Sequence, residues 1–259
     1  MKITVLAENT VSHPACGAEH GLSLFIETQT HKILFDMGQS DLFLQNAAKL
    51  GIDLSAIDFA ILSHGHYDHG GGIPALRSVN SRVPLYVSRH AFGQFYSDKY
   101  IGLAPAVASD PCLVLTDGVH RLGSGVTLYA DGQVPLFSEQ NRGLFKKEKD
   151  GFLPDDFRHE QYLMLEEDGK RVLFSGCSHK GVVNIARYFE PDILVGGFHF
   201  KSLDVEADSA FLEDSAEKLL DGKTIYYTCH CTGKDPFVFL KGKMGERLQY
   251  LATGERIIV

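Results

Sequence analysis

No apolar stretch in this chain approaches the length of a membrane span, no low-complexity tract interrupts it, and no long run carries one sign of charge. Membrane-embedded and disordered classes are therefore set aside. Acids and bases are interspersed at a net charge of -8, so there is no basic stripe for a nucleic-acid backbone, and a small anionic substrate would need local positive groups or a metal. Five cysteines (Cys16, Cys112, Cys177, Cys229 and Cys231) are too few and too irregularly spaced for a disulfide framework, and read as individual thiols. Neither a Walker loop nor a dinucleotide fingerprint in its strand and helix setting occurs, so no nucleotide cofactor is indicated. The apolar run in Met1–Leu6 is too short for a signal sequence, and the expectation is a cytoplasmic protein with no membrane or nucleic-acid partner.

What is present is an apolar fraction of 44% against 22% charged residues, the balance of a soluble globular protein. The length, 259 residues, permits one large domain or two small ones. The most informative stretch is Ser63-His64-Gly65-His66-Tyr67-Asp68-His69-Gly70-Gly71-Gly72, which follows the buried-strand run Phe59–Leu62. Imidazole and carboxylate are the ligands that zinc, iron and manganese take from proteins, and three histidines with an aspartate in six residues make a metal site the simplest reading. The glycines let the chain turn sharply before the next helix.

In order along the chain, Ile3–Leu6 reads as a strand, and Leu22–Glu27 with Lys32–Asp36 as a hairpin. Ser40 or Asp41 caps a helix reaching Leu50, Ile73–Val79 is a short helix with Pro74 in its first turn, and Val83–Val87 is a strand. Ser88 is expected to cap a helix holding Phe92, Phe95 and Tyr96, and Val126–Ala130 is a strand. Residues 135–160 show no clear period and read either as a lid over the site or as a surface insertion. Gln161–Leu165 and Arg171–Phe174 form a second hairpin, followed by a helix (Gly181–Phe189), a strand (Asp192–Val195), a helix (Asp208–Leu220) and a strand (Ile225–Thr228). The second half thus repeats the plan of the first, which predicts a sheet covered by helices.

His64, His66, His69, His179, His199 and His230 each lie just past an apolar strand. Strand ends gather at one edge of a layered sheet, where such folds place their sites. His13, His31, His90, His120 and His159 follow no such rule, although His159 precedes a hairpin strand, and His20 could face the same edge.

These residues resemble the metallo-β-lactamase superfamily, whose His-x-His-x-Asp-His motif is matched by His64, His66, Asp68 and His69, and whose early strand-end aspartate is matched by Asp36. Gly21-Leu22-Ser23, Gly176-Cys177-Ser178-His179, Gly196-Gly197-Phe198-His199 and His230-Cys231-Thr232-Gly233 look like its branch related to 7,8-dihydropterin-6-methyl-4-(β-D-ribofuranosyl)-aminobenzene-5′-phosphate synthase. The resemblance spans nearly the whole chain and implies an α/β (α+β) fold, a four-layer αββα sandwich forming a single domain over residues 1–259, with two divalent metal ions at one edge. It implies one metal on His64, His66 and His179, and a second on Asp68, His69 and His230, with Asp36 orienting a histidine from behind. Zinc is the first expectation, with manganese or iron as alternatives. Where many members carry a bridging aspartate this chain has Cys177, which is either a ligand or a small buried residue beside His179.

The expected reaction is hydrolysis of a small, phosphorylated or pterin-type substrate by a metal-activated water. Asp68 is expected to bind metal and accept a proton, and His199 either to bind metal or, by preference, to contact substrate or protonate a leaving group. A phosphate could be met by the metals, by the helix start after Gly72, or by Lys180 and Lys201. A di-iron oxidoreductase and a non-catalytic metal-dependent sensor are the alternatives. Oligomeric state is left open, a homodimer included.

Overall fold

The computed structural model describes residues 1–130, 134–135 and 143–259. The first half runs β1 (Lys2–Ala7), β2 (Ser23–Glu27), β3 (Lys32–Phe35), α1 (Leu42–Lys49), β4 (Phe59–Leu62), α2 (Tyr67–Gly70), α3 (Ile73–Val79), β5 (Leu85–Ser88), β6 (Gln94–Tyr96), β7 (Leu113–Thr116) and β8 (Val119–Gly123). The second half runs β9 (Val126–Tyr129), β10 (Phe145–Glu148), β11 (Gly151–Pro154), β12 (Tyr162–Glu167), β13 (Lys170–Ser175), α4 (Val182–Phe189), β14 (Ile193–Gly196), α5 (Ser209–Leu220), β15 (Ile225–Thr228), α6 (Lys234–Met244), β16 (Leu248–Tyr250) and β17 (Arg256–Ile258).

Two large sheets result, ordered β17-β1-β2-β3-β4-β5-β7 and β16-β15-β14-β13-β12-β9-β8, with a small third sheet β11-β10-β6. Each large sheet has an antiparallel hairpin, β2-β3 or β12-β13, continued by parallel strands, β4-β5-β7 or β14-β15-β16. The halves therefore repeat one plan, and β17 crosses over to close the first half's sheet beside β1.

Alternation along the strands builds the layers. Phe59 and Ile61 of β4 face the second sheet, in a core shared with Phe35, Leu163, Phe174 and Val195. Ala60 and Leu62 face the other way, onto Phe43 and Ala47 of α1 and Ile73 and Leu76 of α3. Leu173 and Leu194 meet α4, α5 and α6 through Ile185, Leu212 and Leu240. The order is helix, sheet, sheet, helix: the αββα sandwich. Among the described residues no helix is long and apolar enough to cross a membrane.

The expected helix around Phe92–Tyr96 is instead β6. Gly93 and the bridge between Tyr96 and Tyr100 turn this segment, and Phe95 is buried against His66 and His159, so packing overrides the local pattern. Residues 143–160 of the expected lid include the hairpin β10-β11, which pairs with β6; residues 136–142 lie outside the described set. The helix α6 and strands β16 and β17 also went unread in the sequence.

Candidate metal centre

The parallel strands β3, β4, β13, β14 and β15 deliver their C-terminal ends to one edge, and the turns that follow hold the polar residues. Four of these residues adopt positive φ without being glycine: Asp36 (60°), Ser178 (56°), His199 (57°) and His230 (51°). Such backbone persists only where packing dictates it, and it clusters at functional sites. The turns also need bare backbone. A Cβ at Gly65 would run into the carbonyl of Ala91, and one at Gly176 into the Ser63 side chain.

The rings of His64, His66 and His179 form a triangle with centroids 4.6, 4.7 and 4.9 Å apart. The Nε2 atoms of His64 and His66 are buried and have no hydrogen-bond partner among the described residues. Burial, followed by the neighbouring histidines, pushes both rings well below the usual histidine pKa and keeps them neutral, the form that binds metal. Beside them, His69 Nε2 and His230 Nε2 are 3.2 Å apart, and Asp68 Oδ2 is 3.9 Å from the first and 3.3 Å from the second. Tetrahedral zinc with bonds near 2.0–2.1 Å spaces its ligands about 3.3 Å apart, close to the spacing in the second set, and the donor atoms of the first set lie within 4.8 Å of one another. Burial would raise the Asp68 carboxyl, but His69, His20 and His230 outweigh it and hold it well below the usual range, ionised. Cys177 Sγ is 3.2 Å from His69 Nε2, adjoining both sets.

The outward nitrogens are held by a polar layer that orients the rings. His69 Nδ1 donates to Asp36 Oδ2 at 2.7 Å. The Ser63 amide and hydroxyl also donate to Asp36, each at 2.7 Å, which leaves the hydroxyl to accept from His64 Nδ1 at 2.8 Å. His230 Nδ1 donates to Asn9 Oδ1 at 2.8 Å, and His179 Nδ1 lies 3.0 Å from Glu160 Oε1, off the hydrogen-bond direction. Buried carboxylates also grip the turns themselves: Glu8 accepts from the His230 amide at 2.9 Å, and Glu160 from the His179 amide at 2.6 Å. Burial would raise Glu160, but His179 and Tyr162 outweigh it and bring it down to about 2.

The structure thus gathers all the predicted residues, His64, His66, Asp68, His69, Cys177, His179, His199 and His230, with Asp36 behind them. It adds Glu8, Asn9, Ser63 and Glu160, which sequence reasoning passed over. Glu8 and Asn9 also follow a strand end, so the rule that found the histidines would have found them had carboxylates and amides been included. His159 is buried against His66, but both its ring nitrogens are engaged: Nδ1 accepts from the Gly65 amide at 3.1 Å, and Nε2 is 3.0 Å from Asp155. His20 reaches the site, with Nε2 3.2 Å from Asp68 Oδ2.

A cleft of about 510 Å³, large enough for a small molecule, opens over this floor. His20, Tyr67, Lys99, His179, His199 and Lys201 are among its lining residues. Lys180 is not: it is buried, with its amide on Glu160.

A family model described as the metallo-beta-lactamase superfamily matches residues 16–230, and the chain belongs to that superfamily. Within it, the chain shares its fold with Tm1679, described as a metal-dependent hydrolase of the beta-lactamase superfamily, at a TM-score of 0.83 and 28% identity, covering 100% of this chain and 99% of that one. An uncharacterised protein of Methanocaldococcus jannaschii is 28% identical over 244 residues, 89% of this chain and 90% of its own length. From the same organism, 7,8-dihydropterin-6-methyl-4-(beta-D-ribofuranosyl)-aminobenzene-5'-phosphate synthase is a distant homologue, 26% identical over 265 residues, 90% of this chain and 88% of its own.

Proposed function

We propose that this protein is a metal-dependent hydrolase of a small, phosphorylated or pterin-type substrate, working with two divalent ions, zinc before manganese or iron. The observation that carries the reading is the pair of buried, unpartnered nitrogens of His64 and His66 beside a second donor set at the floor of an open cleft. Two ions held there would supply Lewis acidity and make hydroxide available near neutral pH.

His64, His66 and His179 form one position, and Asp68, His69 and His230 the other, with Cys177 at their margin. Asp68, ionised and linked to His20, orients the attacking water and takes its proton. His199, on the cleft wall, faces the leaving group and returns a proton to it. Lys201, 3.2 Å from His20, and Lys99 give the cleft positive charge for a phosphate, the role considered for the buried Lys180. Asp36 and Glu160 keep the imidazoles aimed. All five cysteines are free thiols, which suits the reducing cytoplasm.

The likeness to a synthase favours a second reading, in which the same site transfers a group to a pterin-type acceptor instead of water. Metal-replete protein assayed on ester, lactone and phosphodiester panels should turn over at least one class. No turnover on any of them would overturn the hydrolase reading. Iron content with oxygen-dependent activity would point to an oxidoreductase, and tight calorimetric binding without product to a sensor.

A further inference from the structure

Beyond the two histidine-rich positions, the cleft floor holds a third donor set. Cys177 Sγ, Cys231 Sγ and a ring nitrogen of His199 lie within 4.8 Å of one another. The residues follow β13, β15 and the strand between them, β14, so adjacent strand ends bring them together. Both cysteines are almost fully buried, at 3% and 1% exposure, yet all three residues line the cleft. His199 Nδ1 is buried with no hydrogen-bond partner among the described residues, and the His199 backbone is held at positive φ. Room for the Cys231 thiol comes from Gly197, where a Cβ would collide with the Cys231 sulfur.

We propose that Cys177, His199 and Cys231 form a third, thiolate-rich metal position that takes a soft or borderline ion such as Zn²⁺ or Cu⁺. Two sulfurs and an imidazole select such ions over Mg²⁺ or Mn²⁺, which favour oxygen. Tetrahedral zinc, with bonds of about 2.3 Å to sulfur and 2.0–2.1 Å to nitrogen, wants donors about 3.3–3.8 Å apart, a spacing that small side-chain rotations would reach. Three protein donors leave the fourth position facing the cleft. Binding takes both sulfurs as thiolates and releases to solvent the thiol protons they still carry, with no change of oxidation state. Occupation engages His199 and so competes with the proton-donor role assigned to it above. The proposal borrows that role and the two-ion site from the hydrolase reading, and its test does not depend on turnover.

The experiment is cobalt(II) substitution of the full chain with Cys16 and Cys112 replaced by serine, followed by near-ultraviolet absorption and metal counting. The thiolate-to-cobalt band should be lost together with the third ion in Cys231→Ser and in Cys177→Ser. The bound metal should drop from three ions per chain to two in Cys231→Ser. A band unchanged in Cys231→Ser, or absent from the parent, overturns the proposal. His199→Asn keeps both thiols and serves if the serine variants fail to fold: it should lose the third ion while keeping the other two, and retention of three ions would equally overturn the proposal. Loss of all hydrolytic turnover with the band intact would instead refute only the hydrolase reading.

Discussion

His64, His69 and His230 each have one nitrogen toward the cluster and the other hydrogen-bonded to a hydroxyl, carboxylate or amide oxygen, so their ring orientation is set before any ion arrives. Replacing His66 by alanine should remove the ion from the first position and abolish activity. His120→Ala, whose ring lies against the Asp117 backbone, should do neither; metal content and turnover on the same preparations check both. Asp36 accepts three hydrogen bonds in full burial. Asp36→Ala should cost about 3–5 kcal/mol by urea unfolding and weaken metal binding about 10–100-fold. Glu160 gives a pH signature. Its folded pKa of about 2 lies below its unfolded value near 4.5, so the unfolded state binds the proton first as acid is added. Its contribution to stability is present above about 4.5 and drains away as the pH falls toward 2. Denaturant midpoints of metal-free protein should drop over that window, and Glu160→Gln should flatten the drop.

At the scale of elements, the site is a set of parallel strand ends, and that much was legible in the residues. Apolar runs ending in histidine are a local signal, and the strand Ile225–Thr228 and the helix Ile73–Val79 coincide with the structure. Less legible was anything fixed by distant packing. Phe92–Tyr96 reads as a helix in isolation but forms β6 because it pairs with β10, some 50 residues further on. Glu8 and Asn9 join the site, beside the His20 that the sequence placed at this edge, because their long loop folds back: Leu22 donates to the Asp68 carbonyl, and Gly21 to Asn9. No spacing along the chain announces that. The close passage of the β13 and β4 turns yields its own prediction. Gly176→Ala would press a methyl group into Ser63, whose hydroxyl links His64 to Asp36, so metal affinity should fall together with stability. Wild-type affinity in this variant would show that the Ser63 link is dispensable.

For the whole molecule, the repeated hairpin-plus-parallel plan places two edges side by side, and the inter-sheet core keeps them in register. Phe35 and Phe174 are fully buried, with ring centroids 5.9 Å apart across that core, and each lies just before a site turn. Phe174→Ala should cost about 3–5 kcal/mol through lost burial and the cavity left behind. Because the two halves share this core, the loss should appear as a lower denaturation midpoint at an unchanged slope.

The central claim is that the two sheet edges jointly hold a pair of metal ions. Elemental analysis of protein purified without added metal, with an anomalous-scattering map from its crystals, tests this most directly. The account predicts a peak among His64, His66 and His179 and another among Asp68, His69 and His230, whether or not the Cys177–His199–Cys231 position is also filled. Metal-replete crystals with no peak at either position would contradict it.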